Sequence, residues 1–246
     1  RPNIKIIEWN QKKLFVDIND HIGFRSFIED EPFEMSVYHV AKELKLKKDD
    51  AILDIGANIG HASVPICSEL SCYLIAIEAS KENASLLLRN ICLNNIKAEV
   101  EVSALVTPSY REKFIKLFVR NGNRGANSLI EKWNPSTIGD EFEWVPCITL
   151  DKLMKYKFNK KIIKLIKIDV EGMELEVLKG GLNFIKSNLI PILMEYRLDK
   201  NTKSKLKKIL SMLTKFYNVN GINKIGKKIP FNQDESYENI LFERKK

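Results

Sequence analysis

Residues 53–61 read LDIGANIGH, an apolar run that ends on an aspartate and turns into a short loop with two glycines. This is the pattern of a buried strand feeding a strand-to-helix turn, so its reading depends on what such a turn holds. A dinucleotide-binding turn needs Gly-x-Gly-x-x-Gly, because the backbone must approach a pyrophosphate with its amides free. Here the spacing is Asp54-x-Gly56-x-x-x-Gly60, with a carboxylate where the first glycine would stand. No Gly-Lys-Ser/Thr follows, which excludes a P-loop. An acid at the strand end repels phosphate. The loop suits a ligand without phosphates, and a cationic one best.

Working outward, short strands and helices alternate from residue 51. AILD (51–54), YLIAIE (73–78) and AEVEVSAL (98–105) read as strands, with helices over 61–68 and 81–93, the latter N-capped by Ser80. KIIKLIKID (161–169) reads as a strand, EGMELEVLKGG (171–181) as a short helix with a glycine stop, and LIPILMEY (189–196) as another strand. An amphipathic helix over 201–216 carries Leu206, Ile209, Leu210, Leu213 and Phe216 on one side, and YENILFER (237–244) closes the chain as a strand. The alternation predicts an α/β fold with a doubly wound, mostly parallel sheet. Residues 114–119 and 143–150 also read as extended, and RNGNRGANS (120–128) between them as a loop of the kind that borders sites. Upstream, IKIIEW (4–9) and KLFVDI (13–18) predict a hairpin, and apolar spacing predicts a helix over 33–46. We therefore expect an N-terminal extension, residues 1–48, packing on a main domain of residues 49–246.

A chain of 246 residues with 44% hydrophobic composition can bury one large core. No run reaches the roughly 18 apolar residues needed to span a bilayer, and no basic-then-apolar leader opens the sequence, so a soluble, cytoplasmic protein is expected. The chain opens on Arg1 rather than a methionine. Cys67, Cys72, Cys92 and Cys147 form neither a C-x-x-C pair nor a metal spacing with the three histidines, and are expected as reduced, buried thiols. Asn83-Ala84-Ser85 fits a glycosylation triplet but falls in a predicted helix. The net charge of +8 is concentrated at Lys200–Lys208 and Arg244–Lys246, which favours acidic partners, nucleic acid among them, or is simply a solvated lysine face.

S-adenosylmethionine fits the loop. It carries a sulfonium and an ammonium, a ribose diol and no phosphate. Glu78 ends the second strand 24 residues after Asp54, where a carboxylate can accept hydrogen bonds from both ribose hydroxyls. Ser103-Ala104 at the end of the third strand could border an adenine. Each feature alone also reads as an ordinary turn glycine or strand-end acid.

The segments LDIGANIGHASV, AIEAS, ENASLLLRNICLNN, VSAL, GANSL, VPCITLD, IKIDVEGMELEVLKGG and PILMEY together resemble the FkbM-type methyltransferases, from about Ala51 to Tyr196. The resemblance implies the class I methyltransferase (Rossmann-like) sheet, ordered 3-2-1-4-5-7-6 with a C-terminal antiparallel hairpin. It also implies S-adenosylmethionine as methyl donor and O-methylation of sugar or natural-product hydroxyls. Carried over residue by residue, Asp54, Gly56, Asn58 and Gly60 match the cofactor loop, with Ala57 inside it. Glu78 matches the ribose acid, followed by Ala79 where the family commonly has proline, and His61 stands where it has an aromatic. Asp169, Glu171 and Gly172 match the signature after the fourth strand.

Methyl transfer to an alcohol needs a base or a metal to draw off its proton. Asp169 and Glu171, with Glu195 near the end of the next strand, would lie at the carboxyl ends of the strands, where open sheets bind ligands. Asp169 is the first candidate for base or magnesium ligand. Lys167 alternates with Asp169 on one side of its strand, and reads either as catalytic or as an ion pair fixing that strand. His61 reads as a base or a capping group, His39 as facing the acceptor or packing, and Glu171-Gly172 also as the acidic start of a helix. No Asn/Asp-Pro-Pro-aromatic turn of base-amine methylation follows strand four; Asn134-Pro135 lies in a loop. Pro146-Cys147 falls in an earlier extended segment, away from where a C5-cytosine nucleophile would stand. Three readings remain: an O-methyltransferase acting on a hydroxyl-bearing acceptor, chiefly a saccharide; an RNA or other nucleic-acid methyltransferase using the basic surface; and a non-catalytic nucleoside-binding protein.

Overall fold

The computed structural model describes residues 2–29, 34–131, 141–158, 161–196 and 200–245. The N-terminal hairpin forms as expected, β1 (Ile4–Trp9) pairing antiparallel with β2 (Lys12–Asp17). A helix that the sequence reading missed, α1 (His21–Glu29), follows it, and then α2 (Met35–Glu43). The alternating units come next: β3 (Ala51–Ile55), α3 (Ser63–Leu70), β4 (Tyr73–Ile77), α4 (Lys81–Leu93) and β5 (Ala98–Glu101).

The stretch expected as one strand over 98–105 is broken. After β5 the chain leaves the main sheet at Val102–Ser103, and β6 (Ala104–Leu105) pairs elsewhere. β6 runs parallel to β8 (Phe142–Ile148), which pairs antiparallel with β7 (Phe114–Phe118), giving a separate three-stranded sheet. Its inner face joins Ala104, Leu117 and Val145. The loop between β7 and β8 includes a 3-10 turn, Arg124–Ala126. Asn134-Pro135 lies outside the described residues.

α5 (Leu150–Tyr156) was absent from the reading; Thr149 caps it, its hydroxyl accepting the Lys152 N–H. β9 (Ile163–Ile168), α6 (Glu174–Gly180), α7 (Leu182–Asn188) and β10 (Ile192–Glu195) follow. α6 ends at the expected glycine stop, Gly180-Gly181, where a Cβ on Gly180 would lie 2.3 Å from the Val106 carbonyl; α7, which the reading did not include, begins just beyond it. The chain closes with α8 (Lys200–Leu213), β11 (Tyr217–Ile222), β12 (Lys228–Pro230) and β13 (Asn239–Arg244).

The main sheet is ordered β12-β11-β13-β10-β9-β3-β4-β5. Pairing is parallel from β10 to β5 and antiparallel at β13, so apart from the added edge strand β12 this is the 3-2-1-4-5-7-6 class I methyltransferase sheet. Period-two alternation divides the core between its faces. Leu53, Ile166 and Ile192 pack with α5, α6, α7 and α8. Ile52, Leu165 and Leu193 pack with α2, α3, α4 and the hairpin. Asn90 of α4 ties the hairpin down: its Oδ1 accepts the Phe15 N–H at 2.7 Å, and its Nδ2 donates to the carbonyls of Phe15 at 3.1 Å and Ile59 at 2.8 Å. No helix among the described residues is long and apolar enough to cross a membrane. Cys67 and Cys72 are buried free thiols, but Cys92 is exposed and Cys147 half-buried; Cys92 sits on the outer side of α4, so the expectation of buried thiols holds only in part.

Candidate active site

At the carboxyl ends of β3, β4, β9 and β10 lies a cavity of about 250 Å³. Gly56 makes its floor passable. The residue has φ +81°, and a Cβ there would stand 1.7 Å from the Asp169 carbonyl, so only glycine lets the turn after β3 press against the end of β9. Asn58 is also left-handed, with φ 51°, and its N–H donates to Glu78 Oε2 at 2.8 Å. The Ser80 N–H donates to Glu78 Oε1 at 2.8 Å. Glu78 is thus clamped by two backbone donors while facing the cavity. Burial pushes its carboxyl up to about 7, against the pull of those two hydrogen bonds.

Gly56, Asn58, Glu78, Ala79, Ser103 and Ala104 all line this end. Among the described residues the buried Ser103 hydroxyl has no hydrogen-bond partner. Asp54, Ala57 and Gly60 do not line the cavity. Asp54 points to the α2 side of the sheet, and a Cβ on Gly60 would meet Leu87 and Val64 at 2.6 Å, so that glycine serves packing. Asn83, expected only as part of a glycosylation triplet, is buried, lines the cavity, and reaches the Arg124 carbonyl at 3.4 Å.

The 120–128 loop closes over this end. Arg124 pairs with Asp17 at 3.1 Å and Glu82 at 3.0 Å, and its N–H donates to Asp20. A Cβ on Gly125 would strike Ile22 at 2.1 Å and stand 3.2 Å from Asn58 Nδ2. Further along, the Ser128 hydroxyl donates to the Glu171 carbonyl at 2.8 Å, placing the GANSL segment beside the second half of the cavity.

That second half is acidic. Asp169, Glu171 and Glu195 each offer a carboxylate oxygen within 4.8 Å of the others. Behind them Lys167, 3% exposed, is surrounded by carboxylates: Glu34 at 3.4 Å, Asp169 at 3.4 Å and Asp54 at 3.6 Å. Burial alone would lower the ammonium's pKa, but Asp54, Glu34 and Asp169 together hold it well above its ordinary value, so Lys167 stays charged. It does not line the cavity; Asp54 and Lys167 are direct neighbours across β3 and β9, and the lysine ties the two strands together.

The site also contains Glu34 and His21, which sequence reasoning did not assign to it, and His61, which it read as a base or a capping group. Glu34, just before α2, lines the cavity, and burial raises its carboxyl to about 8 despite the nearby lysine. His61 lies 3.8 Å from Glu34; burial, reinforced by Lys167, lowers it to about 3, so it is a neutral imidazole. His21 lines the cavity, whereas His39 packs edge-on against Tyr38 on α2.

A sequence profile of the methyltransferase FkbM domain matches residues 54–219. The chain belongs to the methyltransferase FkbM domain family. No curated protein matches this FkbM-family chain. Among solved structures it is similar to methyltransferase FkbM from Methylobacillus flagellatus KT, with 16% identity, TM-score 0.48, and coverage of 80% of this chain and 44% of that one. It is similar to the Pyrococcus abyssi tRNA (uracil-54, C5)-methyltransferase in complex with S-adenosyl-L-homocysteine, with 11% identity, TM-score 0.47, and coverage of 97% and 43%. It is also similar to an O-methyltransferase from Bacillus cereus in complex with SAH, with 12% identity, TM-score 0.49, and coverage of 90% and 87%. The FkbM-family chain therefore spans less than half the length of the first two.

Proposed function

We propose that this FkbM-family protein transfers a methyl group from S-adenosylmethionine to a hydroxyl of a sugar, glycan or related small molecule. When bound, the donor supplies an electrophilic methyl on a sulfonium. The residues fit it: Glu78 keeps acceptor capacity for a ribose diol after its two backbone bonds, and the Ser103 hydroxyl is a buried polar group without a partner among the described residues. Gly56 and Asn58 shape the floor beneath it, and Arg124, Gly125 and Ala126 line the same cavity. Asp169 takes the acceptor's proton, while Lys167 fixes its carboxylate in place.

The single observation that carries the acceptor reading is the charge of the second half of the cavity. In a protein with net charge +8, the carboxylates of Asp169, Glu171 and Glu195 line that half. A phosphodiester backbone would be repelled there; a neutral polyol finds hydrogen-bond acceptors. On the basic helix, Lys203 is paired with Asp234 at 2.5 Å, while Lys205 keeps its charge and donates to the Gly172 carbonyl at 2.6 Å. The acidic lining favours the saccharide over the nucleic-acid alternative.

Magnesium is a second reading of the same acids, favoured by the close grouping of Asp169, Glu171 and Glu195, which suits a hard cation. The deciding experiment incubates the protein with labelled donor and an extract of the source cells, and identifies the labelled product. Label in a saccharide, lost in Asp169→Asn, supports the proposal; label in RNA, or binding without turnover, overturns it. Transfer unchanged by chelator removes the magnesium reading.

A further inference from the structure

The family match begins at Asp54, yet a carboxyl from twenty residues earlier forms part of the cavity wall. Glu34 stands at the N-cap of α2 with φ 64° and ψ 46°, a left-handed conformation disfavoured for any residue with a Cβ, and its side chain makes no capping hydrogen bond. The carboxyl lies instead 3.4 Å from Lys167 Nζ and 3.8 Å from His61 Nε2. The neighbouring turn is anchored from the other side: the Ser36 hydroxyl donates to Glu238 at 2.9 Å and accepts from Asn239 at 3.2 Å.

Neutralising Lys167 does not require this arrangement. Asp54 and Asp169 already supply two carboxylates to one ammonium, so Glu34 is surplus to that pairing. Glu34 shares a hydrogen bond with Asp169 besides its pairing with Lys167, so it belongs to the Asp169 end of the cavity and not only to the neutralisation of the lysine. Glu34 and Asp169 each stand 3.4 Å from the same Nζ and both line the cavity, so one acceptor can reach the two carboxyls together.

Resting on the methyl-transfer reading above, we propose that Glu34 is an acceptor-binding residue of the site, taking a hydrogen bond from a polar group next to the reacting hydroxyl and so setting that hydroxyl against Asp169. The acceptor class is then a vicinal diol or amino alcohol, as on a sugar ring. The N-terminal segment is a working part of the active site and not only a cover for the sheet.

The test compares wild type, Glu34→Gln and Glu34→Ala as full chains. Calorimetry with S-adenosylhomocysteine reads the donor end, and label transfer from S-adenosylmethionine into a dilution series of source-cell extract reads turnover and half-saturation. The expected result for Glu34→Gln is S-adenosylhomocysteine affinity within about 3-fold of wild type and label transfer down about 100-fold, with half-saturation raised. Glu34→Gln keeps the side-chain shape and stands as the deciding variant if Glu34→Ala does not fold. Transfer at the wild-type rate, or donor affinity falling in parallel with transfer, overturns the proposal and reduces Glu34 to a structural tie. Wild type that binds S-adenosylhomocysteine but labels nothing overturns the methyl-transfer reading itself, and this proposal with it.

Discussion

Acidification should weaken donor binding through Glu78. The carboxyl sits at about 7 in the ligand-free protein because it is buried. Ribose hydroxyls donate, so only the carboxylate accepts from both, and binding favours the ionised form. Affinity is then level above about pH 7 and falls tenfold per unit below it. Between about pH 8 and about pH 5.5 the dissociation constant rises about 30-fold, or about 2 kcal/mol. The other shifted groups that line the cavity, Glu34 at about 8 and His61 at about 3, face its acidic half rather than the ribose end. Calorimetry with S-adenosylhomocysteine across this range, in buffers of differing ionisation enthalpy, reads both the affinity and the proton released. Ligand-free stability runs the opposite way: folding raises the Glu78 pKa from 4.5, so its contribution is full below that value and declines as pH rises through about 7. Glu78→Gln should flatten the binding profile. It should also cost about 1–3 kcal/mol of stability, since one of the Asn58 and Ser80 N–H donors then faces an amide NH₂. A wild-type profile that is flat, or binding that tightens in acid, refutes the reasoning.

Three further outcomes follow from the packing. Lys167→Met leaves Asp54, Asp169 and Glu34 without their shared cation and should cost about 3–5 kcal/mol in denaturant unfolding; a loss under about 1 kcal/mol would count against the buried network. Gly56→Ala drives a Cβ to 1.7 Å from the Asp169 carbonyl and should cost about 3 kcal/mol or more while removing S-adenosylhomocysteine binding; near-normal binding contradicts the close approach. Asn90→Ala should cost about 2–4 kcal/mol and speed hydrogen exchange at the Phe15 amide, whereas unchanged exchange would mean the hairpin is held elsewhere.

The parts legible in the sequence are those where a local pattern and the tertiary environment agree. β3, its loop and β4 announce themselves because apolar strands end abruptly in acids, and α4 matches its expected bounds, 81–93, between Ser80 and the Asn94-Asn95 turn. The alternation of Lys167 with Asp169 correctly put the two on one side of a strand. What failed was decided at a distance. The departure of β6 from β5 depends on pairing with β8, more than forty residues later, and α5 was hidden within a run that reads as extended up to its Thr149 cap. Asp54 looked like a ligand-facing acid, but strand alternation turns it toward Lys167 instead. Glu34 carried no signal at all: its place in the wall comes from the way α2 lies across the sheet. In the sequence it fell inside the helix expected over 33–46, as one charged residue among several.

The clamp at Asn90 bears on how this chain can be cut. One amide bonds backbone groups from the hairpin and from the loop beneath the ribose end, so the hairpin cannot peel away without leaving the Asn90 Oδ1 and one of its N–H groups stranded inside an apolar layer. A shortened version starting after α2 would bare the Ile59, Leu87 and Val64 surface to water and is expected to precipitate rather than survive as a minimal catalytic fragment.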